Sequence, residues 1–173
     1  LVTPEAPIVL LDPRRDADRL LLPRFGRGFR FAVEPVPTDE PGRWALRATA
    51  SGPDPEAQGF VFRTELPATL RDRLARGSWT HLRVRARACQ GVRRLEVALV
   101  DLDGVAWAAT VTLREDWRDV RIPLHALRPV ELALLPRPYP PFHPYFFRTT
   151  PRADRIDPAR LDGLQFRVRA AEG

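Results

Sequence analysis

The sequence predicts an all-β protein, an antiparallel β-sandwich or jelly roll of about eight or nine strands with one short helix. Short segments alternate apolar with polar residues, turn-forming Gly, Pro and Asp separate them at short intervals, and a single segment has helical spacing. The 173 residues suit one globular domain. We expect a linker at residues 1–7, followed by one module at residues 8–173.

The elements follow in order along the chain. The apolar segment PIVLLD predicts a first strand at residues 7–12. Residues 67–77 predict the helix, because Leu70 and Leu74 are four residues apart and Gly77 is placed as a C-terminal stop. The other predicted strands are residues 29–35, 44–50, 59–66, 79–88, the two sides of a hairpin around 101–104, 117–124 and 161–170.

The register of the hairpin follows from the residue pattern. A two-residue turn at Asp103-Gly104 would place Leu99 opposite Ala108, which mixes apolar with small residues. A three-residue loop, with Gly104 in the left-handed conformation of a G1 bulge, gives one consistent inward face. We predict this bulged hairpin, with the strand at 117–124 as its third strand. The predicted pairs are Leu99–Trp107, Val97–Ala109 and Leu95–Val111.

The opposite face of the hairpin consists of small or polar residues, and residues 134–150 are suited to cover it. This segment, called the arm below, reads LLPRPYPPFHPYFFRTT, and its five prolines stiffen the chain. The composition of the arm indicates two alternative roles. Its rings are buried on the small face, or some of them remain outside as platforms for a sugar ring. The small face consists of Glu96, Ala98, Val100, Ala106, Ala108, Thr110 and Thr112.

The composition indicates a solvated sheet surface rather than a nucleic-acid site. The formal charge is +6, every basic side chain is Arg, and the skew is typical of a GC-rich genome. The arginines of residues 82–87 alternate with apolar residues, which favours the wet face of a strand over a stripe that follows phosphates. We therefore expect no nucleic-acid partner. No apolar run approaches the ~20 residues that cross a bilayer, so we expect no membrane partner.

Catalysis is not expected, because the reactive residues form no recognisable constellation. Ser51 and Ser78, the only serines, lie in no G-x-S-x-G motif. Asp101 and Asp103 are expected to be turn residues, with Asp103 making the local hydrogen bonds that turns favour. The histidines lack the spacing of a metal pair; they are His81, His125 and His143.

Four isolated side chains are assigned from their positions in the pattern. Trp44 heads an alternating strand and Trp107 faces inward in the hairpin register, so both are predicted to lie in the core. Trp79 follows the helix stop, at the edge of the sandwich, where it is a candidate contact for a ligand. Cys89 is the only cysteine and is expected to be a buried, inert thiol.

Three segments carry a resemblance to a known family. The strand ending LLD, the VDLDGVAW hairpin and the following EDWRDVRIPLHALRPV resemble galactose-binding-like β-sandwiches, which include carbohydrate-binding modules and CIA30-like domains of bacterial glycoside hydrolases. The LPRPYP segment of the arm is similar to one in C-terminal domains of secreted glycoside-hydrolase-like proteins. The resemblance implies sugar binding by end loops or a concave sheet face, and a core position for Trp117.

The same resemblance implies a structural calcium on an early loop, for which Asp12, Asp16 and Asp18 are the nearest candidate ligands. No other cofactor is expected.

Together these observations give one hypothesis and one alternative. The hypothesis is a non-catalytic module, secreted or periplasmic or at the cell surface, that binds a polysaccharide or glycan and is joined to a catalytic domain in the same chain. The alternative is a structural accessory domain whose arm packs against that catalytic domain. Rings would stack on sugars, while Arg and His would bind hydroxyls or carboxylates. The candidate binding residues are Trp79, Arg137, Tyr139, His143 and Tyr145.

Overall fold

The computed structural model describes residues 6–22, 30–52, 60–135, 140 and 142–170. The two α-helices of this part are α1 (Pro13–Asp16) and α2 (Ala68–Arg76), and single 3-10 turns occur at Ala17–Arg19, Leu124–Ala126 and Pro158–Arg160. Its strands are β1 (Arg30–Pro37), β2 (Trp44–Ser51), β3 (Phe60–Glu65), β4 (His81–Ala86), β5 (Arg93–Asp101), β6 (Ala106–Leu113), β7 (Arg118–Pro123), β8 (Arg128–Val130), β9 (Leu132–Ala133), β10 (Phe146–Phe147) and β11 (Leu161–Ala170).

A five-stranded antiparallel sheet with the strand order β3-β11-β5-β6-β8 forms one layer. Its β5–β6 hairpin has the predicted register, with Leu99 opposite Trp107. Gly104 has a φ of 78°, and the Asp101 N–H donates to the Val105 carbonyl at 3.0 Å, which encloses a three-residue loop. The bulged hairpin is therefore confirmed.

Two antiparallel strand pairs, the β1–β2 hairpin and the non-consecutive pair β4–β7, form the second layer. The sequence predicted β7 as the third strand beside β6, which is wrong: β7 crosses to the other layer and pairs with β4, Leu82 lying opposite Ile122. Its apolar residues turn toward the core as predicted, since Ile122 is buried. The antiparallel sandwich is confirmed, and the strands beyond the predicted number are the short β8, β9 and β10.

The core lies between the layers, on what we call the inner face of the five-stranded sheet. Val97, Leu99 and Trp107 are each at most 2% exposed there. Burying side chains of this size contributes about 2 kcal/mol each. The predicted helix is confirmed as α2, and its Leu70 and Leu74 side chains belong to the same cluster.

Aromatic rings connect the β1–β2 hairpin to this sheet. The Phe31 ring of the hairpin stacks on Phe60 of β3 with centroids 4.9 Å apart, and within the sheet Phe62 stacks on Phe166 at 5.0 Å. An open cleft of about 1900 Å³ separates the hairpin from β4, with Leu46 of β2 among its lining residues.

The first predicted strand is absent. Residues 7–12 are irregular, because no neighbouring strand pairs with them, although Ile8 and Leu10 still pack against the core. Val9 points outward and is 57% exposed.

Three side chains predicted to be buried are not. Trp44 is 38% exposed and lies under the Arg14 guanidinium, 4.7 Å from its ring. Trp117 lies half-buried beneath Arg85 and Arg87 instead of in the core. Cys89 is exposed, because β4 has ended at Ala86 before the chain reaches it.

No helix in the part of the chain described above has the length and apolar character needed to span a membrane.

Candidate functional site

The small face predicted for the hairpin lies on the outer side of the five-stranded sheet, where it supports the arm. Ala98, Val100, Ala106 and Ala108 are buried there. Their short side chains let two larger apolar side chains approach the sheet; these are Leu132 and Phe147. The structural role predicted for part of the arm is confirmed.

Strand β9, which directly precedes the arm, pairs with β10 inside it. We call this strand pair the root of the arm. Ala133 lies opposite Phe146, and the Leu134 N–H donates to the Tyr145 carbonyl at 2.7 Å. Gln165, which is fully buried on the outer face, accepts from the Ala133 N–H at 2.8 Å and donates to the Glu131 carbonyl at 3.1 Å. These bonds fix the backbone of the root to the sheet.

Arg167 lies beside Gln165 on β11 and contacts the root from below. Its side chain is 5% exposed, and its guanidinium lies 4.3 Å from the centroid of the Phe146 ring. Glu96 and Glu131 approach it at 3.9 and 3.7 Å. Burial lowers the pKa of Arg167, and the positive charge of Arg169 lowers it as well, against the opposing effects of the two glutamates.

The tip of the arm projects into solvent. The His143 N–H donates to the Pro140 carbonyl at 3.0 Å, which closes a turn. Phe142 in this turn is 82% exposed, and its ring lies 4.9 Å from the ring of the exposed His143 at an angle of 49°. Tyr145, nearer the root, is half-buried. The arm therefore has a buried root and a tip that presents two adjacent rings.

The candidate binding residues do not all come together. His143 and Tyr145 belong to the arm, while Arg137 and Tyr139 lie outside the described residues. Trp79 packs on the core side, where its indole N–H donates to the Leu74 carbonyl at 3.0 Å. Sequence reasoning did not select Phe142, although its position between Pro141 and His143 in the arm was the available signal.

The early acidic residues are occupied by the protein itself. The Asp12 carboxylate caps α1, and Asp18 is exposed. The fully buried Asp16 accepts from the Arg15 side chain at 2.9 and 3.0 Å, from the Asp12 N–H at 2.8 Å, and from Arg19. Calcium would have to displace two guanidinium groups, so this arrangement does not fit the ion. No group of three potential metal-ligating side chains occurs within the described ranges; a structural calcium held by other residues stays a prediction.

The two carboxylates of the hairpin loop also have structural partners. Asp101 accepts from the N–H groups of Asp103 and Val105 and from the Trp107 indole, at 2.9 to 3.0 Å. Asp103 instead forms an ion pair with Arg160 at 2.9 Å. The prediction that Asp103 makes the local hydrogen bonds is wrong, because Asp101 makes them.

The arginines of β4 lie on an exposed strand face, as predicted, and have acidic partners. Arg83 donates to both carboxylate oxygens of Asp119, at 2.8 and 2.6 Å, and holds the pKa of that carboxyl below its usual value. Arg85 bonds to Glu40. This surface is close to electrically matched.

Comparison with known proteins identifies solved structures that have the same fold as this chain. No protein-family model matches the sequence, and no curated protein matches it significantly. Among solved structures, the family 11 carbohydrate-binding module of Clostridium thermocellum, in complex with a β-1,3-1,4-mixed-linked tetrasaccharide, has a TM-score of 0.55 at 13% identity, with 94% of this chain and 96% of that one covered. The chain has the fold of this module.

A second solved structure gives the same result. The solution structure of the module named CtCBM11 has a TM-score of 0.56 at 12% identity, with 94% of this chain and 91% of that chain covered. The likeness extends over nearly the whole length of a jelly-roll carbohydrate-binding module. At such low identity it establishes the fold and transfers no binding residue.

Proposed function

We propose that this chain is a non-catalytic carbohydrate-binding module that holds a polysaccharide through the tip of its arm. The observation that carries the proposal is Phe142, a large apolar ring 82% exposed beside His143 on a turn whose root is fixed to the sheet. An exposed ring that is already positioned loses little entropy when a sugar ring stacks on it. The fold shared with a module that binds a mixed-linked tetrasaccharide supports the proposal.

The neighbouring residues would supply the polar contacts. His143 is exposed and can donate to or accept from a sugar hydroxyl. Arg137 and Tyr139 belong to the same arm and are proposed as further contacts, as is the half-buried Tyr145. We further propose that the module is joined to a carbohydrate-active enzyme and acts outside the cytoplasm.

Affinity electrophoresis in gels containing soluble polysaccharides tests this function. We expect the intact protein to be retarded by at least one polysaccharide, and Phe142→Ala to lose about tenfold in affinity, since a stacked ring contributes about 1 kcal/mol or more. Leu102→Ala is the matched control, because Leu102 is also an exposed apolar residue, at 55%, on a different loop. Equal losses in both variants, or no retardation on any gel, would contradict the proposal.

The same exposed ring supports the alternative, an accessory domain that packs against a neighbouring catalytic domain. In that case Phe142 would be covered in the longer protein. Absence of polysaccharide binding, together with protection of the tip only when the neighbouring domain is present, would favour this role.

A further inference from the structure

Two arginines lie opposite each other on the outer face of the five-stranded sheet, beyond the root of the arm. Strand pairing places Arg94 of β5 directly opposite Arg169 of β11, and both are exposed. The Cβ atoms of such a pair are about 5 Å apart, and like charges in this arrangement destabilise a sheet. Within the described ranges, neither arginine has a carboxylate at ion-pair distance; the nearby Glu96 and Glu131 are instead directed to Arg167.

Exposed strand arginines elsewhere in the chain differ in whether they have an acidic partner. Arg83 pairs with Asp119 and Arg47 with Glu34, whereas Arg121, which lies opposite Arg83 on β7, has no carboxylate partner within the described ranges. In the Arg94–Arg169 pair neither member has such a partner within the described ranges.

Arg167 lies two residues before Arg169, on the same face of β11. It is only 4% exposed, yet its Nε and Nη2 have no hydrogen-bond partner in the part of the chain that the structure describes. The acceptor nearest to Nε is Glu96 Oε1 at 3.9 Å, which is likewise buried without a hydrogen-bond partner, so the two groups approach each other without forming the bond. Arg167 shares the outer face with Arg169, and Glu96 and Glu131 offset its charge, so the positive charge of that end of the sheet comes from Arg94 and Arg169.

The side chains around the arginine pair can bind the hydroxyl groups of a sugar as well as its charged group. Thr112 of β6 lies opposite Arg94, and Thr110 lies opposite Glu96; both threonines are exposed. Arg118 reaches the same end of the sheet, where its Nη1 donates to the Thr112 carbonyl at 2.9 Å. Hydroxyl groups therefore lie next to the arginine pair.

We propose that Arg94 and Arg169 form a binding site for the anionic groups, carboxylate or sulfate, of an acidic polysaccharide. The inference rests on the proposed function and specifies its ligand class. Guanidinium groups bind planar or tetrahedral oxyanions through paired, charge-assisted hydrogen bonds. An anion between the two arginines would remove their mutual repulsion, while the threonine hydroxyls would bind those of the sugar.

The test compares the wild-type protein with the double variant Arg94→Gln/Arg169→Gln. The matched control is Arg73→Gln/Arg121→Gln, which removes the same charge from exposed positions on α2 and β7. Affinity is measured in gels containing a polyuronate (polygalacturonic acid), a sulfated polysaccharide (carrageenan), a neutral β-1,3-1,4-glucan, or single-stranded DNA, each at low and at physiological salt.

We expect the variant at the site to lose at least about tenfold in affinity for an acidic polysaccharide and to keep its affinity for a neutral one, with little change in the control. A loss on polyuronate alone or carrageenan alone identifies which anion is bound. Equal losses in the two double variants would overturn the inference, because they would show an effect of net charge. Tighter binding of DNA than of any polysaccharide would overturn it in favour of a nucleic-acid site.

The failures of the two proposals differ. Retardation by the neutral glucan alone, lost in Phe142→Ala, would contradict the acidic ligand and leave the carbohydrate-binding function intact. No retardation by any polysaccharide would contradict both.

Discussion

Asp16 is a fully buried carboxylate that stabilises the entry of the chain into the fold. Burial by itself raises its pKa, but hydrogen bonds from Arg15, from the Asp12 N–H and from Arg19 lower it more, to about 2. Because one carboxylate connects α1 with the turn after it, its protonation state affects the local structure as a whole.

We expect this carboxylate to make stability depend on pH. The folded-state pKa of about 2 lies below the ordinary value of 3.8, so the stabilising contribution is complete above the ordinary value and is lost as the pH falls through about 2. At neutral pH it amounts to about 2 kcal/mol. Urea unfolding of Asp16→Asn should show a loss of this size at pH 7, and the difference from wild type should shrink below about pH 4.

Asp18→Asn is the control for this experiment, because Asp18 is exposed in the same segment. Its unfolding free energy should stay within about 0.5 kcal/mol of wild type. A difference between Asp16→Asn and wild type that does not change with pH would show that the carboxylate charge contributes nothing.

At the scale of single residues, the sequence predicted the direction of side chains better than it predicted their burial. Alternation correctly placed Trp107 in the core, because a strand with one buried face repeats every two residues. The same logic failed for Trp44, since alternation does not reveal whether another element packs over a given face. Trp44 belongs to a hairpin beside an open cleft, and the Arg14 guanidinium covers part of its ring.

Among the elements, the β5–β6 hairpin and β7 show how far local pattern reaches. The hairpin register was predictable because a three-residue loop and one glycine fix it. The partner of β7 was not predictable, because pairing with β4 depends on packing between residues more than 30 apart in the sequence. The division of the arm into root and tip was also hidden, since proline and aromatic residues occur in both.

The arm root provides a prediction at the scale of elements. Gln165 satisfies two backbone groups of the segment leading into the arm, at Glu131 and Ala133. Gln165→Ala leaves the buried Ala133 N–H without its partner and removes the bond to the Glu131 carbonyl, which should cost about 2 kcal/mol. Hydrogen exchange should then be faster at the Leu134 amide, whose bond to the Tyr145 carbonyl closes the root.

Gln90→Ala is the matched control, because Gln90 is exposed in the bend after β4. It should leave both the unfolding free energy and the exchange of Leu134 unchanged. Unaltered exchange at Leu134 in Gln165→Ala would show that the arm is held by apolar packing alone.

Over the whole molecule, the two layers differ in how completely they are built. The five-stranded sheet has an apolar cluster on each face, and its central strands are paired on both edges. The second layer is divided into two separate strand pairs, β1–β2 and β4–β7, with a cleft between them. Length and strand pattern predicted a sandwich, but they contained no information on this division, because it depends on strand partners.

Hydrogen exchange of the intact protein should reveal this asymmetry. We expect the slowest amides in β5 and β11, which are paired on both sides, and faster exchange in β1–β2 and β4–β7, which have unpaired edges. The ratio of protection factors should be at least about tenfold, measured by mass spectrometry or NMR. Uniform protection in both layers would show that the cleft is closed in solution.

The short root of the arm has a consequence for engineering. The two backbone strands that enter and leave it, at Ala133 and Phe146, are direct neighbours, and Gln165 of the sheet beneath bonds to them at the Ala133 N–H. A foreign loop could replace the residues between these two points without changing the path of the rest of the chain. The jelly roll would then serve as a scaffold that displays interchangeable peptides from one rigid surface.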